Sequence, residues 1–94
     1  MGRSSKRKPK RLAEKLLQIR TTLGLSQSEM IRRLELSKEL VQASISGYEL
    51  GTRIPPLPVL LRYAEVAGIC TDILINDKLD LPNKLPGKPK HTNL

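Results

Sequence analysis

A chain of 94 residues with a net charge of +8 has room for one small hydrophobic core and not two. One cysteine and one histidine exclude an internal disulfide and a structural zinc site, no apolar run reaches membrane-spanning length, and the opening MGRSSKRKPK lacks the apolar stretch of a signal peptide. The expectation is a soluble, intracellular helical domain that binds no metal, cofactor or membrane, with Cys70 as a buried or half-buried small residue.

The charge is unevenly spread. Residues 1–11 hold Arg3, Lys6, Arg7, Lys8, Lys10 and Arg11 without an acid, whereas the bases and acids between residues 12 and 75 balance and the remainder adds +2. A basic arm beside a neutral body suits a polyanion partner as well as it suits a solubilising tail. Residues 1–9 are read as a flexible basic arm, 10–76 as the folded domain and 77–94 as an extended Pro/Lys-rich tail.

Helical spacing governs the body, for which four or five helices are expected. Leu12, Leu16, Ile19 and Leu23 recur at steps of four, three and four and share one face, with Gly24 as the stop. Ser26 and Glu29 form the S-x-x-E capping box of a second helix, which buries Met30, Ile31 and Leu34. Residues 42–50 read as a short third helix with Ile45 and Tyr48 inward and Gly51 just past its end. A segment that buries so little while exposing Gln, Ala and Ser suits docking on another surface better than building a core. After the prolines of TRIPPLP, a fourth helix runs to about Ala67, with Pro58 in its first turn and Leu57, Leu60, Leu61, Ala64 and Ala67 expected on one stripe. A fifth helical piece over 71–75 contributes Ile73 and Leu74, and Leu79 and Leu81 are candidates to dock from the tail.

Taken in order, Arg20, GLSQ at 24–27, QASISGYELG at 42–51, RIPPL at 53–57 and AGICTDILI at 67–75 resemble the Cro and phage-repressor type (Xre-like) helix-turn-helix family. The resemblance covers about residues 10–75 and implies an all-α, lambda-repressor-like compact bundle whose second and third helices form the motif. It implies a phosphate contact at Gln27 and an adenine contact for Gln42, whose carboxamide can pair with N6 and N7 and discriminate by roughly 1 to 3 kcal/mol. Ala43 would touch a thymine methyl, Ser44, Ser46 and Gly47 would face or flank the groove, and Thr52 and Arg53 would meet the phosphate backbone. Gly47 replaces the longer polar side chains common there, which would let the backbone come closer to DNA. Arg20 and Glu49 match a structural salt bridge, whose disruption would cost roughly 3 to 5 kcal/mol if partly buried.

The spacing departs from the family. Gln27 and Glu49 lie about four positions further apart than usual, an excess carried by LELSKELVQ. Either the turn between the motif helices is lengthened through Ser37 to Val41, the preferred reading, or the third helix gains a turn at its start.

The function so implied is sequence-specific binding of double-stranded DNA by a homodimeric, stand-alone transcriptional repressor or autoregulator in the nucleoid-associated cytoplasm. Under it, losing Gln42 weakens binding to a selected site far more than to random DNA, and deleting residues 1–11 weakens both. The alternative is an antitoxin-like or adaptor-like interaction module that engages a protein partner through the C-terminal tail. An enzyme is disfavoured: there is no paired-carboxylate, Ser-His or Cys-His arrangement and no phosphate-cradling glycine loop, so no catalytic residue is assigned.

Overall fold

The computed structural model describes residues 9–89, and the basic arm expected over residues 1–8 and the end of the tail from 90 to 94 lie outside them. Five helices follow in order: α1 (Leu12–Thr22), α2 (Gln27–Leu34), α3 (Gln42–Leu50), α4 (Leu57–Ala67) and α5 (Thr71–Ile75). Among the described residues there is no strand, and no helix is long and apolar enough to cross a membrane.

Helix α1 buries Leu12, Leu16 and Ile19 on one face, and Leu23 continues that face beyond its end. Gly24 turns the chain with φ 73°, a conformation that costs glycine no Cβ clash. The α2 cap forms in full, with Glu29 N–H donating to Ser26 Oγ at 3.1 Å and Ser26 N–H donating to Glu29 Oε1 at 2.7 Å. Met30, Ile31 and Leu34 then face the core. Helix α2 packs on α3 and α4, and α1 packs on α3 and α5, so all five helices share one cluster of buried side chains.

The connection from α2 to α3 occupies residues 35–41, so the chain takes the lengthened turn and α3 begins at Gln42. It is anchored. Leu40 is buried, Leu36 packs against the core, and the Leu40 N–H donates to the Leu36 carbonyl at 2.9 Å. Glu35 opens the turn in the left-handed region, an uncommon state for a residue with a Cβ. Arg62 of α4 supports the turn by donating from Nε to the Leu34 carbonyl at 2.7 Å, which satisfies a group that the end of α2 leaves unpaired.

The α4 stripe requires a correction. Leu57 is 79% exposed and Leu61 51%, while the buried face is Val59, Leu60, Tyr63, Ala64 and Ala67. Both stripes contain Leu60, Ala64 and Ala67, so periodicity permits either. Packing rotates the helix toward the larger Tyr63, whose ring fills the interior between the other elements. Cys70 is also exposed, contrary to expectation, because it precedes α5 as its N-cap rather than contributing to the core.

Past α5 the described residues have no regular secondary structure, yet they stay on the body. Leu81 and Leu85 pack against the core, whereas Leu79 is 39% exposed and does not join it. The Gly87 N–H donates to the Ala67 carbonyl at 3.0 Å, and a Cβ at Gly87 would lie 1.9 Å from the Val66 oxygen, so only glycine permits this approach. Lys15 of α1 accounts for the start of the docked segment. It is buried, and its Nζ donates to the carbonyls of Ile73 at 2.7 Å, Asn76 at 3.0 Å and Leu79 at 2.7 Å.

Candidate functional site

Three helices meet in a polar cluster behind α3. Arg20, near the end of α1, presents its fork to Glu49 near the end of α3, Nε to Oε2 at 2.7 Å and Nη2 to Oε1 at 3.0 Å. Its Nη1 donates to the Leu25 carbonyl at 2.9 Å, so one guanidinium ties α1, the entry to α2 and α3 together. The side chains are 16% and 6% exposed, which puts this charge pair among the protected ones whose partners cannot be removed singly without stranding a charge. Hydrogen bonding to Glu49 raises the Arg20 guanidinium above its ordinary value, against the opposing pull of burial. Close by, the Tyr63 hydroxyl is buried with no hydrogen-bond partner among the described residues, and burial pushes its ionisation well up.

Gln27, the first residue of α2, turns its Nε2 toward Glu49 Oε1 at 3.4 Å. Its side chain therefore belongs to the edge of this cluster in the free protein, while its position at the start of α2 keeps it at a helix end that favours anions. Outward from the cluster lies the exposed face of α3. Gln42 and Ala43 are exposed, Ser46 is half-buried, and the Gln42 Nε2 donates to Ser28 Oγ of α2 at 2.7 Å. That bond uses one amide hydrogen. The second amide hydrogen and the carbonyl oxygen are the pair that an adenine edge requires.

Two of the residues expected to face or flank a groove sit elsewhere. Ser44 is 6% exposed, and its Oγ accepts from the Val41 N–H at 3.2 Å, which supplies a polar group to a helix start whose own cap residue is valine. Gly47 is buried beneath Arg53, and a Cβ there would come within 3.0 Å of Arg53 Cδ. The missing side chain seats the Arg53 stem instead of leaving open backbone. The Arg53 N–H donates to the Gly47 carbonyl at 3.2 Å and Thr52 donates to the same carbonyl, so Thr52 and Arg53 are held against the end of α3. Both remain exposed.

The structure thus brings Gln42, Ala43, Ser46, Thr52 and Arg53 to the surface of one short segment, and places Arg20, Glu49 and Gln27 behind it. Sequence reasoning missed Ser28, fourteen positions from the glutamine it holds and on a different helix. It carried no local signal. Among the described residues no three His, Cys, Asp or Glu side chains gather in a metal-binding arrangement. No protein-family model, curated protein or solved structure matches the chain.

Proposed function

We propose that the protein binds double-stranded DNA sequence-specifically and regulates transcription, with α2 and α3 acting as a helix-turn-helix of the Xre-like kind. The observation that carries this reading is Gln42: exposed at the first residue of α3, tethered to Ser28 of α2, and retaining a donor and an acceptor for a base edge. The Arg20 and Glu49 fork supports it by fixing the rotation of α3 on α1. Thr52 and Arg53, at the end of α3, are suited to phosphate contact. A homodimer on two-fold related half-sites is part of the proposal.

The test is binding to a duplex selected from a random library, compared with random duplex. Gln42→Ala should lose roughly 1 to 3 kcal/mol on the selected duplex and little on random DNA. Removing residues 1–8, which spares the anchored Arg11, should weaken both and lower the salt slope by about 0.9 for each phosphate that the shortened chain leaves unneutralised. Equal loss on both duplexes for Gln42→Ala would remove the reading role from that residue.

A protein-interaction module is the second reading, favoured by the exposed Leu57 and Leu61, one turn apart on α4. Copurification of a stoichiometric protein partner, with no duplex enriched by selection, would favour it over DNA reading.

A further inference from the structure

At the opposite end of α3 from Gln42, a cleft of about 420 Å³ lies between the start of α1 and the end of α3. Its size falls within the roughly 300 to 1,000 Å³ of small-molecule sites. Leu12 and Ala13 in the first turn of α1, Tyr48 of α3 and Ile54 beyond it supply apolar walls. Leu12 and Tyr48 are each 5% exposed, so the core fixes these walls, while Ile54 adds apolar surface that is 49% exposed. The charged groups are two cations, Lys10 on the α1 side and Arg53 on the α3 side, and no acid is among the described residues that line the cleft. Neither cation is in an ion pair among the described residues, where the paired ones are Arg11, Arg20 and Arg62. Asp77 accepts from the Lys10 backbone N–H and not from its ammonium. The Arg53 stem is seated on Gly47, which holds it at the wall, and its charge opposes the rise in Tyr48 ionisation that burial causes.

We infer that this cleft binds a small organic anion, with an apolar body seated on Leu12, Ala13, Tyr48 and Ile54 and a carboxylate taken by Lys10 and Arg53. Covering the apolar walls with a hydrocarbon body removes both from water, which is favourable. Two cations without a lining acid select an anionic occupant over a cationic one. A guanidinium fork matches a carboxylate in two parallel hydrogen bonds, whereas a phosphate group, with more charge and three oxygens, asks for more donors than one fork and one ammonium supply in an otherwise apolar cleft. The volume suits a free molecule made of one ring and a short acid chain. The inference goes beyond the DNA-reading proposal, with which it shares only Arg53.

The experiment titrates the full chain with hydrocinnamate, with the uncharged hydrocinnamyl alcohol and with inorganic phosphate at equal ionic strength, and follows backbone amide shifts. The acid should move the amides of residues 10–13 and 48–54 saturably and bind about tenfold tighter than the alcohol, the gain expected of a charge-assisted hydrogen bond. Arg53→Met keeps the stem and removes the fork. It should abolish most of that preference and leave the alcohol affinity unchanged, with amide shifts away from the cleft reporting an intact fold. Ile54→Ala should weaken acid and alcohol by the same factor. No saturable shift in the cleft, equal affinity for acid and alcohol, or a response to inorganic phosphate as strong as to the acid would each overturn the inference. The last result would leave Lys10 and Arg53 as plain phosphate contacts and the DNA-reading proposal standing.

Discussion

The two ends of α1 are tied down by cations of the same charge and opposite strategy. Near its C-terminal end Arg20 meets a carboxylate through two parallel hydrogen bonds, and the partner is a helix α3 whose outer face carries the proposed DNA contacts. Near its N-terminal end Lys15 meets no carboxylate directly and is satisfied by three backbone carbonyls. Around it, Asp77 accepts from the Lys10 and Arg11 N–H groups at 2.9 and 3.0 Å, and the Arg11 side chain reaches the Asp77 carbonyl at 2.9 Å. A rigid guanidinium fork orients a partner, which suits the role proposed for α3. An ammonium with three rotatable donors gathers loose carbonyls, which suits a segment that only needs to be held.

The largest expected effect tests the first end. Glu49→Ala leaves the Arg20 guanidinium mostly buried without its partner and should cost about 3 kcal/mol in urea unfolding, with the double variant Arg20→Met, Glu49→Ala recovering part of that loss. Additive losses in the cycle would show that the two side chains act separately and would dissolve the contrast with Lys15.

Lys15→Met comes next. It keeps the volume of the stem but strands three carbonyls, and about 2 kcal/mol is expected. The loss should appear as faster amide exchange in residues 73–87 before α2 and α3 are affected. A variant that exchanges uniformly faster, α3 included, would break the division of α1 into an orienting end and a holding end. Burial also lowers the Lys15 ammonium from its ordinary 10.5, with the nearby Arg11 charge acting in the same direction. In the window between that lowered value and 10.5 the unfolded chain binds more protons than the folded one, so this contribution makes stability rise with pH. The rise should be absent in Lys15→Met. Measurement below about pH 10 keeps it separate from the buried Tyr63, whose raised ionisation makes stability fall as pH rises above its ordinary 10.0.

The smallest effect sharpens the same end in acid. Backbone hydrogen bonds from Lys10 and Arg11 hold the Asp77 carboxyl below its ordinary 3.8. Its contribution is therefore present above pH 3.8 and disappears as pH falls through the lowered folded value. Amide shifts of Lys10 and Arg11 should move together with the Asp77 carboxyl during an acid titration and stay flat in Asp77→Asn. Independent movement would mean that Asp77 does not join α1 to the segment after α5.

Legibility differed in the same way as the two anchors. The capping box at Ser26 and Glu29 could be read because both partners lie within one turn, and the Leu12, Leu16, Ile19 and Leu23 face because a single period orders it. Arg20 and Glu49 could be set together only through the family resemblance, since twenty-nine positions separate them. Lys15 could not be singled out at all: its acceptors are backbone carbonyls, which every residue possesses. In the candidate site, Gln42 is legible as an exposed polar residue, whereas Ser44 and Gly47, which the resemblance has face or flank a groove, are buried, one serving the start of α3 and the other seating Arg53.

By itself the sequence determined a succession of four or five helices, the Ser26 cap of the second, the glycine stops at Gly24 and Gly51, and the shortage of apolar side chains on α3, because each depends on interactions within a turn or two of the chain. Tertiary structure decided which face of α4 is buried, how residues 35–41 close over the core through Leu40, and where the segment after α5 lies. It also decided that Glu49 is occupied by Arg20 and that one Gln42 amide hydrogen is taken by Ser28, and so which polar groups α3 leaves at its surface. Local pattern limits the faces that a helix can present, but only packing against the rest of the chain selects one of them, because the selection depends on volumes and hydrogen-bond partners far away in sequence.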